Sequence, residues 1–363
     1  MTRFRTSFCA LLVIALFAAT GFSAGLTDSL KQGKADIKSA GVMAFGPEGI
    51  LFVGDSANGT IFAFDTQDRT AAQGAPVDVT GINEKIAAML GTAADQILIN
   101  DLAVNPISKK MYLTVSRGRG PSATPVILRV DNKGKIEQLS MESIGHAKVM
   151  LPDPPASQGE GRQNPRLNSI TDLAYLDGKV LIAGLSNEEF ASTLRSVPFP
   201  FQQASKGAGI EIWHGSHARF ETQAPVRTFV PYKIKNEENI LAAYTCTPLV
   251  KIPVSALQPG AKVKGTTIAE LGSGNQPLDM ISYSKGGHNY ILMNNSNRGV
   301  MRLSVDNLDS YKPITAPSDI AGVPYETIKS LTGVQQLDKV DDQLGVILVQ
   351  AGNGMELKTI ALP

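Results

Sequence analysis

"GPEGILFVGDSANGTIFAFD", residues 46–65, decides the fold. Two runs rich in Ile, Leu, Val and Phe flank a short polar turn, and Asn58-Gly59 supplies the residue pair that a tight reversal favours. Extended run, turn and second extended run recur in five later pieces. They are MYLTVSRGRGPSATPVILRVD (111–131), VLIAGLSN (180–187) continued after an insertion by GIEIWHG (209–215), ILAAYTCTPLVKIPVS (240–255), YILMNNSNRGVMRLSVD (290–306) and GVILVQAGNGMELKTIAL (345–362). Successive starts fall roughly 50 to 70 residues apart, the length of a four-stranded propeller blade with its loops.

Ahead of each hairpin stands a further short run: GVMAF (41–45), NDLAV (100–104), TDLAY (171–175), VRTFV (226–230), LDMISY (278–283) and GVQQLD (333–338). These read as innermost strands. KIEQLSM, HARFETQ and GTTIAEL read as outer ones. Six units of this kind give an all-β chain folded as a six-bladed β-propeller of four-stranded antiparallel blades, which closes on itself and leaves little exposed sheet edge. The last unit lacks an outer strand, and a segment near 26–38 is expected to complete it. Residues 83–94, with Asn83 as N-cap, and 324–331 read as helices between blades.

Residues 1–24, MTRFRTSFCALLVIALFAATGFSA, have the composition of a cleaved secretory signal: Arg3 and Arg5, an apolar run, then small residues. The remaining 25–363 are expected to form a single propeller domain, secreted or periplasmic, with no membrane span and no lipid anchor. Without Arg3 and Arg5 the 34 basic residues become 32, against 33 acidic ones. This near-neutral balance argues against nucleic acid as partner. Without Cys9, Cys246 is the single thiol, so an internal disulfide is excluded.

The pieces resemble the six-bladed propellers of the NHL and gluconolactonase (senescence-marker-protein) superfamily. "INDLAVNPISKKMYLTVS" is similar to the lactonase segment in which an Asn-Asp pair precedes a strand and the Asn binds a divalent metal; the residues here are Asn100 and Asp101. "QPLDMISY" is similar to another inner-strand entrance, with Asp279 at the strand start. The resemblance implies a divalent cation, Ca2+ or another, at the axis. The branch's metal-binding glutamate on the first inner strand has no counterpart, since that strand opens with Ala40-Gly41.

Propeller geometry gathers the inner-strand entrances and the turns between second and third strands on one face, here called face one. A ligand site at the channel mouth would draw on Asp55, Asp101, Asp172, Arg227, Asp279 and Asn295, and a cation on Asn100, Asp101, Asp172 and Asp279. The alternative for these aspartates is structural, since a carboxylate at a strand start accepts backbone N–H bonds and fixes the neighbouring turn. Two loops are expected on face one, 149–168 and the Phe-rich 187–208, whose Phe190, Phe199 and Phe201 would cap the channel or meet a protein partner.

"WHGSH" places His214 and His217 three apart. With 209–213 as third strand and 218–222 as fourth, the two histidines form a rim turn on the opposite face with no third ligand nearby. Cys246 falls in a face-one turn, as a small buried hydrophobe or as a nucleophile or soft-metal ligand. No P-loop, His-Glu-x-x-His or Gly-x-Ser-x-Gly motif is present. Three functions remain: a propeller binding a small molecule or protein on face one, a metal-dependent hydrolase or lactonase at the axis, and a structural scaffold subunit.

Overall fold

In the computed structural model the hairpin that opens the repeat pairs Ile50–Asp55 with Thr60–Asp65 in register, Ile50 opposite Asp65 and Asp55 opposite Thr60. The structure describes residues 25–159, 164–246 and 248–363; the expected leader, 1–24, lies outside them. Gly59 sits at φ +61° in the turn, and a Cβ there would meet the Pro154 ring at 2.9 Å. A left-handed backbone in close contact is a place for glycine.

Nearly every residue of this hairpin is buried, because both faces of the sheet are covered. Ile50, Phe52, Ile61 and Ala63 pack with Leu173, Ile182 and Val197, whereas Leu51, Val53, Phe62 and Phe64 pack with Ala103, Tyr112 and Ile127. Apolar residues at every position are therefore the expected pattern for a blade strand, and strict alternation is not.

Six such sheets form the ring. Blade 1 contains, from the axis outward, Met43–Phe45, Ile50–Asp55, Thr60–Asp65, Ile144–Met150 and Lys31–Gly33. Blade 2 contains Ile97–Val104, Met111–Arg117, Thr124–Val130 and Ile136–Gln138. Blades 3 to 6 begin with inner strands Asp172–Leu176, Val226–Ile234, Pro277–Lys285 and Val334–Lys339. All six inner strands fall where the sequence places them.

The order around the axis is not the order along the chain. The inner strand of blade 1 packs between those of blades 2 and 3, and blade 6 packs beside blade 2, so the ring runs 2-1-3-4-5-6. After three strands of blade 1 the chain crosses to add Asp78–Thr80 as the outer strand of blade 6, against Glu356–Lys358. It then builds blade 2 and returns to add Ile144–Met150 to blade 1. This corrects the expected closure: residues 78–80 complete the last blade, while Lys31–Gly33 caps the edge of blade 1.

Two further expectations are corrected. A helix forms at Ile82–Leu90, but Asn83 lies inside it and accepts a hydrogen bond from Met355 N (2.7 Å) instead of capping it. Residues 324–331 are not helical, and Tyr325–Thr327 is the outer strand of blade 5, paired with Met301–Leu303.

The largest correction concerns blade 3. Ser192–Pro198, read as part of an insertion, is its third strand, pairing with Lys179–Leu185 throughout. Ala208–His214 becomes the fourth strand and Arg219–Glu221 a fifth. Phe199 and Phe201 then fall at the far end of the blade, stacked edge-on against Phe52 at 5.0 and 6.0 Å, with Phe199 buried. They do not cap the channel mouth.

Closure through Asp78–Thr80 makes Val79, only 2% exposed among Leu113, Val346 and Leu357, a point of attack. Val79→Asp would bury a carboxylate without a partner, and we expect a loss of at least about 2–3 kcal/mol. Urea unfolding measures this; an unchanged midpoint would mean that the strand does not close the ring.

Candidate functional site

At the axis, an aspartate on each of four inner strands meets the backbone of the next blade, Asp172 and Asp279 near the strand start and Asp338 near its end. Asp338 Oδ2 accepts from Val104 N (2.6 Å), Asp101 Oδ2 from Met43 N (2.6 Å), Asp172 Oδ2 from Phe229 N (2.7 Å) and Asp279 Oδ2 from Leu337 N (2.9 Å). In ring order these clamp blade 6 to 2, 2 to 1, 3 to 4 and 5 to 6, always in one direction. The second oxygen of Asp172, Asp279 and Asp338 accepts the N–H of the following residue. β-Bulges at Ile99/Asp101, Val226/Thr228, Pro277/Asp279 and Val334/Gln336 mark four of the entrances. A bulge re-aims a side chain out of the pleat.

The expected convergence is thus present, and it carries an electrostatic cost. Burial pushes Asp172 up to about 7 and Asp338 up to about 6. Burial, reinforced by the neighbouring aspartates, holds Asp101 and Asp279 well above the ordinary carboxylate range. With its amide nitrogen turned toward them, Gln336 donates to both Asp101 Oδ1 (3.2 Å) and Asp279 Oδ2 (3.0 Å).

Above this floor the six entrances open into a cavity of about 690 Å³ on face one. Val42, Asn100, Thr171, Arg227, Gln276 and Gln335 represent the six blades in its wall. Gln336, Gln350, Asn353 and Asn83 add amides, and the turn 94–96 with the start of the blade 2 inner strand adds Asp95 and apolar surface. Arg119 also lines it, its guanidinium donating to Asp95 O at 2.9 and 2.6 Å. Arg227 donates to Asn168 Oδ1 at 3.1 Å. Asn100 donates to Ala40 O (2.7 Å) and Ser116 Oγ (3.0 Å), which fixes its amide at the rim.

Of the expected ligand residues Arg227 is in this wall, Asp101, Asp172 and Asp279 are engaged in the clamps, and two are placed elsewhere. Asp55 is fully buried and accepts from Lys38 N, Ser39 N and Ser39 Oγ at 2.8–3.0 Å, tying the N-terminal segment to its own turn. Asn295 accepts from Asn275 Nδ2 at 2.9 Å and donates to two backbone carbonyls. Both are local fasteners.

The extra strand in blade 3 brings a second group to this side of the ring. A fourth strand runs toward face one, so His214 ends there and not on the opposite face. His214, His217 and Cys246 offer ligand atoms that all lie within 4.8 Å of one another, and among the described residues this is the group of three or more His, Cys, Asp or Glu side chains that meets that spacing. Cys246 stands in the turn between the second and third strands of blade 4, at φ +61°. Sequence reasoning put Cys246 on face one but missed its meeting with the histidines. The available signal was TLRSV (193–197), whose strand character changes the parity of the blade.

No protein-family model matches the chain, and no curated protein matches it. Solved structures with a similar fold include extracellular domains 1-2 of Drosophila Semaphorin 1b, 9% identical with a TM-score of 0.41, covering 92% of this chain and 87% of that one. Another is the PQQ-bound form of an aldose sugar dehydrogenase from Streptomyces coelicolor, 12% identical with a TM-score of 0.27, covering 91% and 97%. Such identities concern the fold alone. No family model confirms the expected NHL or gluconolactonase membership; the structure shows the six-bladed architecture.

The raised aspartates predict a pH dependence. Asp172 holds its proton to about 7 when folded but only to about 4 when unfolded. Between these values the native state binds the extra proton, so stability falls as pH rises, by up to about 1.4 kcal/mol per pH unit. Asp172→Asn removes that component, and its stability relative to wild type should improve steadily from pH 5 to 7 in urea melts. A difference that does not change with pH would refute the assignment.

Proposed function

We propose that this protein is a secreted or periplasmic propeller that binds a small polar ligand in the cavity at the mouth of its channel. The single observation that carries this is the convergence of all six inner-strand entrances on one cavity whose polar lining is mostly side-chain amide set among apolar side chains, with Arg119 and Arg227 as its cations. Amides both donate and accept, and so suit hydroxyl groups; a guanidinium adds an anionic head. A small hydroxylated carboxylate such as a uronic acid fits this lining. About 690 Å³ is within the range of small-molecule sites.

Secretion is supported by the composition of residues 1–24, and among the described residues no helix is long and apolar enough to cross a membrane. The lactonase alternative would place a divalent cation on Asn100, Asp101, Asp172 and Asp279. The backbone clamps already occupy oxygens of the three aspartates, and this favours the binding reading.

Thermal melting with glucuronate, glucose and glycine as probes tests the proposal. A ligand at 100 times its Kd adds about 2.7 kcal/mol. Glucuronate is expected to raise Tm more than glucose, and Arg227→Gln to abolish the difference. No shift with any probe at 10 mM, a concentration of the order of 100 times a 0.1 mM Kd, would count against a ligand of this class.

A further inference from the structure

The fourth strand of blade 3 ends at His214, and Gly215–His217 forms one 3₁₀ turn. Side chains three apart eclipse in such a turn, so the two imidazoles lie on one side, ring centroids 3.9 Å apart. Ala218, at φ +53°, reverses the chain into Arg219–Glu221, which pairs back on Ile212–His214. This return places the Glu221 carboxylate against both rings: Oε2 accepts from His214 Nδ1 (2.8 Å) and Oε1 from His217 Nδ1 (2.7 Å), while Arg219 Nε donates to Oε1 (2.9 Å).

One ionised carboxylate accepting from both Nδ1 atoms selects the same tautomer in each ring. Each Nε2 then carries a lone pair. His217 Nε2 is 4.0 Å from Cys246 Sγ. His214 is 2% exposed and its Nε2 has no hydrogen-bond partner. A buried acceptor without a partner is costly and calls for an explanation. A thiol–imidazole contact explains only His217, whereas a cation within reach of all three atoms explains the pair.

We propose that His214 Nε2, His217 Nε2 and Cys246 Sγ form a binding site for one borderline transition-metal ion of the Zn2+ class, with Glu221 as the outer carboxylate that orients both imidazoles. One thiolate and two imidazoles match Zn2+ and its neighbours and not the oxygen-seeking Ca2+ or Mg2+. With Zn–S of about 2.3 Å and Zn–N of about 2.0–2.1 Å, tetrahedral angles set S and N roughly 3.6 Å apart, against 4.0 Å between Cys246 Sγ and His217 Nε2, with the ligand atoms of all three residues within 4.8 Å of one another. Binding releases the thiol proton to solvent and involves no change of oxidation state. Three protein ligands leave a fourth position, on the side where His217 and Cys246 reach solvent, for water or a ligand atom. A carboxylate accepting the second ring N–H is the usual device for holding such histidines.

The site joins blade 3 to blade 4. Gly215 N donates to Glu270 Oε1 (2.6 Å) in the outer half of blade 4, and Cys246 N donates to Asn275 O (2.7 Å). It shares no residue with the cavity wall, so it stands or falls independently of the channel-mouth reading.

The test uses full-length protein purified without a polyhistidine tag and stripped with EDTA. Titration with Zn2+ against a chromophoric chelator should show one equivalent bound, and Co2+ should give a near-ultraviolet thiolate charge-transfer band with intense four-coordinate d–d bands. Cys246→Ser should abolish the charge-transfer band, and His217→Gln, at an exposed position, should weaken Zn2+ binding at least 100-fold. Glu221→Gln should weaken it by about 10- to 100-fold. Zn2+ should also protect Cys246 from iodoacetamide, read by peptide mass. Failure to bind Zn2+, binding unchanged in folded Cys246→Ser, or alkylation at the same rate with and without Zn2+ would each overturn the proposal, the last leaving Cys246 a simple thiol.

Discussion

Every blade is covered on both faces, and that constraint shapes the rest of the molecule. Phe52 and Val53 are adjacent in one strand, yet one packs toward blade 3 and the other toward blade 2. A sheet with two apolar faces cannot end a stack, because its outer face would meet water. The ring must therefore close, and here closure does not depend on the two ends of the chain alone. Asp78–Thr80 in blade 6 and Ile144–Met150 in blade 1 each come from a remote part of the sequence.

The axis is where this packing becomes polar. Inner strands converge too closely for large side chains, and their backbone N–H groups need acceptors once water is excluded. A carboxylate answers that need across blades, and four do so in the same rotational sense. The consequence is crowding of like charges in a poorly hydrated channel, relieved by proton uptake near neutral pH and by Gln336 between Asp101 and Asp279. The polar lining of the cavity at the entrances is carried instead by amides, Arg119, Arg227 and Asp95.

The hairpins and inner strands were legible because local pattern determines them: an apolar run, an Asn-Gly or Gly-rich turn, and an aspartate before the strand. The strand Ser192–Pro198 was not legible. It carries Ser192, Arg195 and Ser196, and the buried Arg195 is paired with Asp153, 42 residues earlier in the chain. Asp78–Thr80 is three residues long and offers no periodicity. The ring order 2-1-3-4-5-6 is set by packing between segments far apart in sequence, to which no local pattern gives access. Of the expected site residues, Asn100 and Arg227 lie in the cavity wall and Asp101, Asp172 and Asp279 in the clamps between blades. Asp55 and Asn295 were misplaced because a turn on the right face says nothing about the direction of a side chain.

The misread strand matters beyond bookkeeping of elements, because antiparallel order makes position depend on parity. With three strands before the WHGSH turn, the histidines emerge on face two and lie alone. With four they emerge on face one, beside the second turn of blade 4. Local chemistry is identical in the two readings: the same 3₁₀ turn, the same reversal at Ala218, the same Glu221 on the returning strand. What changes is the neighbour, and only the second arrangement supplies a sulfur. A His-x-x-His pair held by one carboxylate is prepared to bind but incomplete. The residue that completes it comes from another blade, at a position whose left-handed backbone, φ +61°, is uncommon for a side chain larger than glycine. The site is therefore a property of the assembled ring, and of the contact between blades 3 and 4 in particular.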